Sequence, residues 1–255
     1  MQRYFIPTEQ FGQHSVVLAG DDAYHIQRVM RAEPGTKLIC SNGIDREAVV
    51  AITHMTKQTV EAEIVEELPM EAEPSVHVWI AQSLPKADKM ELVIQKGTEI
   101  GAARFIPFTS ERTVVQYDHK KEIKRLERWR KIAKEAAEQA HRNRIPELSS
   151  PSSWKELLRL GSQVDLALLC YEKQHTLSFR ALLEQALAGE KGGEPYTILI
   201  AIGPEGGFTP AEAAEAEQAG YRPVSLGRRI LRTETAAMVA LSAIMYAAGE
   251  MGGGN

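Results

Sequence analysis

Cysteine is nearly absent: 255 residues carry only Cys40 and Cys170, with no C-x-x-C pair and no histidine cluster beside either. That argues against a disulfide framework or a zinc knuckle, so two buried thiols is the favoured reading and no metal is expected. Long apolar runs are missing too. Nothing approaches the roughly eighteen residues that a membrane helix needs, and the opening MQRYFIPTEQFG has no apolar stretch fit for a signal peptide. A cytoplasmic protein with no membrane attachment is the expectation. Charge of one sign is also lacking, since 30 Lys and Arg against 34 Asp and Glu leave a net charge of -4. A protein basic over its whole surface is thereby excluded.

What is there is ordinary for a globular chain, with 44% hydrophobic and 25% charged residues. Charge is nevertheless uneven: His119 to Arg144 holds ten Lys and Arg against four Glu. Such an excess can follow a phosphate backbone. The segment also repeats apolar Ile123, Leu126, Ala133, Ala137 and Ala140 at helical spacing and pairs Lys131/Glu135 and Lys134/Glu138. A solvated amphipathic helix is therefore the favoured reading from charge alone.

Residues 1–68 are rich in β-branched runs, and the spacing predicts strands at Arg3–Ile6, Ser15–Leu18, Thr36–Ser41, Ile44–His54 and Thr59–Glu67, with Asn42-Gly43 as a hairpin signal. One helix interrupts them, from Asp21 as N-cap to about Arg31, bringing Tyr24, Arg28 and Arg31 within reach of one another and His25 one position round. A small β-barrel is the expected form. Residues 69–74 hold two prolines and no periodicity, as a short stiff linker does. From 75 to 249 apolar strands (Val76–Ala81, Ala103–Phe108, Val164–Leu169, Tyr196–Ile202) alternate with helical patterns (Lys86–Ile100, Lys120–His141, Ser178–Leu187), which predicts an α/β domain with a parallel sheet. The tail 250–255 is expected to be disordered.

Two loops carry the chemical signal. The strand Ile198–Ile202 runs into Gly203-Pro204-Glu205-Gly206-Gly207-Phe208, and then Thr209-Pro210-x-Glu212 spells a capping box for the next helix. In open α/β sheets the crevice beyond the carboxyl ends of strands is where small molecules bind. The loop is neither G-x-G-x-x-G nor a P-loop, and Glu205 would repel a phosphate, which weakens nicotinamide and ATP readings. Ser225-Leu226-Gly227-Arg228-Arg229-Ile230-Leu231-Arg232-Thr233-Glu234-Thr235-Ala236 is a second glycine loop, rich in arginine, leading into an apolar helix over Ala236–Ala248 fit for a core or a subunit interface.

Taken in order, Gly203-Pro204-Glu205-Gly206-Gly207-Phe208 and Leu226-Gly227-x-Arg229-Ile230-Leu231-Arg232-x-Glu234-Thr235-Ala236 resemble the signature of the 16S rRNA uracil-N3 methyltransferases, a branch of the SPOUT superfamily. Arg3-Tyr4-Phe5, His25-Ile26-x-Arg28-Val29-Met30-Arg31, Gln95-Lys96-x-Thr98-Glu99-Ile100-Gly101, Ser110-Glu111-Arg112 and Glu138-Gln139-x-x-Arg142 are similar to that family in order and spacing. The resemblance implies a PUA-like β-barrel that holds RNA, followed by an α/β domain with a trefoil knot, working as a homodimer on 16S rRNA or the small ribosomal subunit. It also implies that S-adenosylmethionine sits among Leu169, Glu172, Ile202, Gly203, Pro204, Glu205, Gly206, Gly207, Leu226, Gly227, Ile230 and Leu231.

Methylating N3 of uracil requires alignment of the methyl group with the nitrogen and removal of an imide proton. The resemblance implies Arg232 for stabilising the developing charge, Glu234 as base or as the residue orienting Arg232, and Thr235 as a supporting hydrogen bonder. An acid in a first helical turn is also favoured by the helix dipole, and Arg232 could be its ordinary ion-pair partner. Arg3, His25, Arg28, Arg31, Lys86, Arg112 and Arg142 are the expected RNA contacts, reading phosphate and shape. The alternative is a non-catalytic RNA-binding assembly factor with the same fold.

Overall fold

Alternation at period two builds the first sheet. In the computed structural model, which describes residues 1–115, 118–171, 178–188 and 195–253, strands β1 (Arg3–Phe5), β2 (Ser15–Ala19), β3 (Lys37–Ser41), β4 (Glu47–Met55) and β5 (Thr59–Leu68) are ordered β1-β3-β4-β5-β2. Only β1 and β3 run parallel. Tyr4 and Ile6 from one edge share a core cluster with Val16 and Leu18 from the other, so the sheet is curled around one apolar centre. The β3–β4 turn is longer than a two-residue hairpin: the Asn42 side-chain oxygen accepts from the amides of Ile44, Asp45 and Arg46, capping a five-residue loop.

The helix between β2 and β3 departs from expectation. It starts at Gly20 as α1 (Gly20–Tyr24), directly after the paired strand residue Ala19, which is its N-cap, so Asp21 lies inside the helix rather than capping it. A π-helical turn over His25–Val29 follows, closed by Met30 N donating to the His25 carbonyl at 3.0 Å. The wider turn breaks the i,i+3 spacing assumed for Tyr24, Arg28 and Arg31.

By chain contacts, this unit comprises Met1–Glu73 together with Ala137–Ile145. The second segment is wired into it. Arg3 makes two bonds to the Glu47 carboxylate (2.6 and 2.8 Å) and one to the Arg142 carbonyl, and Asn143 Nδ2 donates to Glu47 Oε2 at 2.6 Å. Glu73, at the end of the expected linker, accepts from the amides of Asn143 and Arg144 and pairs with the Arg142 guanidinium.

The other unit holds β6 (Val76–Ser83), α2 (Lys89–Ile100), β7 (Arg104–Thr109), α3 (His119–Gln139, through Ala136), β8 (Glu147–Leu148), β9 (Ser152–Ser153), α4 (Trp154–Leu160), β10 (Leu166–Cys170), α5 (Phe179–Leu187), β11 (Tyr196–Ile202), α6 (Pro210–Gln218), β12 (Arg222–Val224) and α7 (Thr233–Ala247). Its sheet runs β12-β10-β11-β6-β7-β8, with β9 also on β7, and every pairing is parallel. Alternate residues face opposite layers. Val76, Val78, Ile80, Ile198, Ile200 and Leu168 pack with residues of α2, α3, α5 and α7, whereas Ala81, Leu199, Ala201, Ala167 and Leu169 pack with α4 and α6. Burial on both faces is why these strands read as continuous apolar runs. The final helix begins at Thr233, three residues before the expected Ala236, and beyond it Glu250 accepts from the amide and hydroxyl of Ser75. Among the described residues no helix is long and apolar enough to cross a membrane.

Candidate functional site

The carboxyl ends of β10, β11 and β12 open into a cavity of about 510 Å³. Its walls bring together Ile202, Gly203, Pro204, Glu205, Gly206 and Gly207 from the loop after β11, and Leu226, Gly227, Ile230, Leu231 and Arg232 from the loop after β12. The size falls within the range of about 300–1,000 Å³ usual for small-molecule pockets. At Gly203 the approach is close, since a Cβ there would lie 3.3 Å from the backbone of Gly207 and from the Phe208 ring and would press on the loop. Gly227 is required by its backbone, at φ +126. Leu169 is fully buried under the sheet instead of lining the cavity, and Glu172 lies outside the described residues.

Hydrogen bonds fix the first loop from three sides. The Thr233 hydroxyl donates to the Gly203 carbonyl at 2.7 Å and accepts from Gln82 Nε2 at 2.8 Å. Arg112 Nη1 donates to the Gly206 carbonyl at 2.8 Å. The Glu205 carboxylate accepts from Lys89 Nζ at 2.9 Å and from the Lys86 amide at 3.1 Å. Burial opposes ionisation of Glu205, but the hydrogen bonds from Lys89 and from backbone amides outweigh it and hold this carboxyl below its usual range.

The catalytic candidates separate. Arg232 is the N-cap of α7, exposed, and among the described residues no hydrogen bond or ion pair holds its guanidinium. Glu234 is 14% exposed in the first turn of α7, off the cavity wall, and its charge partner is Lys89 at 3.6 Å rather than Arg232. Thr235 is exposed and does not line the cavity, whereas Thr233, two residues before it, bonds the first glycine loop. Sequence reasoning also missed Lys89, Val224, Ser225 and Ala236 on the walls, where Cys170 and Tyr171 stand between the expected Leu169 and Glu172. A lysine in the first position of a helix, against the dipole, was the available signal for Lys89; β12, three residues long, gave none.

The expected RNA contacts divide by burial. Arg3 and Arg142, each 5% exposed, are consumed by buried ion pairs with Glu47 and Glu73 and offer no surface for phosphate. His25 is half-buried, with Nδ1 2.7 Å from the Tyr4 hydroxyl. Arg28, Arg31 and the Lys86 ammonium are exposed, and no ion pair holds them among the described residues. Arg112 is exposed at the cavity, where it clamps Gly206. Among the described residues no group of three or more His, Cys, Asp or Glu could hold a metal ion.

This geometry has counterparts. Residues 72–245 match the model of an RNA methyltransferase domain, and residues 18–65 match an RNA methyltransferase PUA domain. The ribosomal RNA small subunit methyltransferase E of Bacillus subtilis is 41% identical, covering 96% of each chain. The protein of that name from Synechocystis is 33% identical over 95% of this chain and 76% of its own. Among solved structures, a methyltransferase from Legionella pneumophila in complex with S-adenosylmethionine superposes with a TM-score of 0.84 at 33% identity (96% of this chain, 97% of that one). A ribosomal RNA small subunit methyltransferase E from Neisseria gonorrhoeae, bound to S-adenosylmethionine, gives 0.79 at 29% (96% and 97%). The fold is the α/β fold of the SPOUT methyltransferases with a PUA unit preceding it in the chain. With the methyltransferase model spanning most of the sequence and relatives above 30% identity along nearly all of it, this chain belongs to the ribosomal RNA small subunit methyltransferase E family of RNA methyltransferases.

Proposed function

We propose that this protein methylates N3 of a specific uridine in 16S ribosomal RNA, using S-adenosylmethionine bound in the cavity at the ends of β10, β11 and β12. The observation that carries the reading is the convergence of two glycine loops on one cavity with an exposed Arg232 at its wall. The lining suits that donor. Leu226, Leu231 and Ala236 offer apolar surface for a purine ring, and the close-packed loop backbones offer amides and carbonyls. When bound, the donor supplies a methyl group already activated by its sulfonium.

What the chain must add is placement and a route for the N3 proton. Arg232, which has no hydrogen bond or ion pair among the described residues, stabilises the uracil oxygens as N3 loses its proton. Glu234 accepts that proton through a solvent relay, since it stands off the cavity wall and, among the described residues, its Oε2 takes no hydrogen bond. Thr233 takes the positioning role first read for Thr235. Arg28, Arg31 and Lys86 contact phosphate, Arg112 braces the donor loop, and Arg3, Arg142 and His25 act as scaffold. By this reading the unit of Met1–Glu73 with Ala137–Ile145 holds RNA and the unit of Pro74–Ala136 with Pro146–Asn255 carries out methylation, and the protein works as a homodimer in the cytoplasm. A non-catalytic assembly factor would have no use for the conjunction of cavity and free arginine.

The test is to incubate the protein with S-adenosylmethionine and unmethylated small ribosomal subunits, digest the RNA and seek N3-methyluridine by mass spectrometry. Its appearance, with at least a hundred-fold loss in Arg232→Ala, about the cost of removing one preorganised charge stabiliser, supports the reading. Donor binding without any methylated uridine sinks the proposed substrate.

A further inference from the structure

Lys89 occupies a costly position. It is the first residue of α2, where the helix dipole disfavours a cation, and the turn before it holds Ala87 at φ +55, a left-handed conformation that non-glycine residues rarely adopt. That turn aims two donors at one target: the Lys86 amide and the Lys89 ammonium both bond the Glu205 carboxylate. The same ammonium stands 3.6 Å from Glu234 Oε2, in the first turn of α7. Three separate stretches of chain, the start of α2, the Gly203–Gly207 loop and the start of α7, therefore meet at one nitrogen, which also lines the cavity. Glu234 thus has its counter-charge without drawing on Arg232, two residues before it. Local strain and an unfavourable dipole persist only where the surroundings compensate them, and here the compensation is two carboxylates from the two glycine-loop regions.

We propose that Lys89 is a positioning residue for methyl transfer: by holding Glu205 and Glu234 on one ammonium it fixes the donor loop against the first turn of α7 and keeps Arg232 free for the substrate. Lys89 need not touch the reacting atoms. The proposal rests on the donor-site reading above, and its consequences separate placement from binding of RNA. Losing the bridge lets the two loops move independently and lets Glu234 capture Arg232, so kcat falls while KM for the ribosomal subunit holds.

The test uses the full-length protein and the variants Lys89→Met, Lys89→Arg, Glu205→Gln and Lys89→Met/Glu205→Gln. Hydrogen–deuterium exchange of the ligand-free proteins reads the bridge without any catalysis. Exchange at Gly203–Phe208 and Thr233–Ala236 should rise about ten-fold in Lys89→Met and return close to wild type in Lys89→Arg. Methylation kinetics should show kcat down about ten- to a hundred-fold in Lys89→Met, the scale of a misplaced reacting group, with KM for the subunit within about two-fold. Lys89→Arg should recover most of kcat, and the double variant should be no worse than Lys89→Met, as residues acting through one bridge require. Unchanged exchange at both segments in Lys89→Met overturns the proposal. So does multiplication of the two single effects in the double variant. Should Lys89→Met fail to fold, Glu205→Gln decides alone: faster exchange at Thr233–Ala236, across the bridge, supports the inference, and no change there overturns it. A wild-type protein that neither binds S-adenosylmethionine in calorimetry nor methylates the subunit refutes the donor-site reading, while the exchange results still decide whether the bridge exists.

Discussion

Thr233 and Thr235 carry the same hydroxyl two residues apart on one helix, and their surroundings give them different work. Thr233 is buried, and its hydroxyl stands between the Gln82 amide and the Gly203 carbonyl. Valine there would keep the shape but strand a donor and an acceptor away from water, at about 1–3 kcal/mol for an unsatisfied buried group. Thr233→Val should therefore lower the unfolding free energy by that amount, read as a fall in the urea midpoint at unchanged slope, and weaken donor binding in calorimetry. Thr235→Ala should stay within about 0.5 kcal/mol, as exposed substitutions do. Equal stability losses in the two variants would contradict the assignment. The thiols make a second residue-level case. Burial pushes Cys170 from 9.0 up to about 12, and burial, aided by Asp22 and Glu138, does the same to Cys40. Both folded values lie above the ordinary one, so the folded chain holds those protons longer. The associated stability is fully present below about pH 9 and is lost as pH rises toward 12. At pH 8 a thiol-reactive chromophore should label at most one cysteine, the half-buried Cys170 at the cavity, within minutes and should label both after denaturation; fast labelling of two thiols in the native protein would rule out a buried, protonated Cys40.

At the scale of elements, α6 shows what local pattern can and cannot reveal. Thr209, Pro210 and Glu212 announce its start, and the structure has the full capping box. The sequence does not reveal that the Glu212 carboxylate also accepts from the Glu111 amide, at 2.8 Å, across to the loop after β7. A bond between residues a hundred positions apart has no local signature. Glu212→Ala frees the buried amide of Thr209 and that of Glu111, and should destabilise the protein by about 2–4 kcal/mol, read as a fall in the denaturant midpoint with unchanged slope. A loss under about 0.5 kcal/mol would mean that water replaces the carboxylate. The same distinction accounts for the rest. Long apolar strands such as Tyr196–Ile202 and the helix Ser178–Leu187 were legible from periodicity, while β8, β9 and β12, two or three residues each, are too short to have any. The capping box at Ser153 and Glu156 was present in the sequence and would have located α4. In the cavity, the glycine-loop residues were legible because their types are unusual, whereas Thr233 acquires meaning only from its distant partners Gln82 and Gly203.

For the molecule as a whole, the informative feature is a discontinuous unit. Met1–Glu73 is completed by Ala137–Ile145, and the joint is polar and buried: Arg3 and Glu47 are 5% and 3% exposed, Asn143 bonds both Glu47 and the Ala72 amide, and Glu138 accepts from the Phe5 amide at 3.0 Å. The barrel pattern in residues 1–68 suggests self-sufficiency; the charges inside it do not. A buried ion pair contributes little net stability, but removing one partner strands the other charge and costs about 3–5 kcal/mol. Glu47→Gln should therefore destabilise the full chain by about that much, seen in chemical denaturation followed at the first unit by hydrogen exchange. The stronger consequence concerns autonomy. A fragment of residues 1–73 keeps Arg3 and Glu47 but loses the Arg142 carbonyl, the Asn143 amide and the Glu138 carboxylate that satisfy them and the β1 backbone. It should show no cooperative thermal transition by circular dichroism, whereas a chain joining 1–73 to 137–145 through a flexible linker should regain one. A fragment 1–73 that melts cooperatively would show that the apolar core around Tyr4, Leu18 and Leu38 is sufficient by itself, and that the buried polar joint specifies where the segment docks without holding the barrel together.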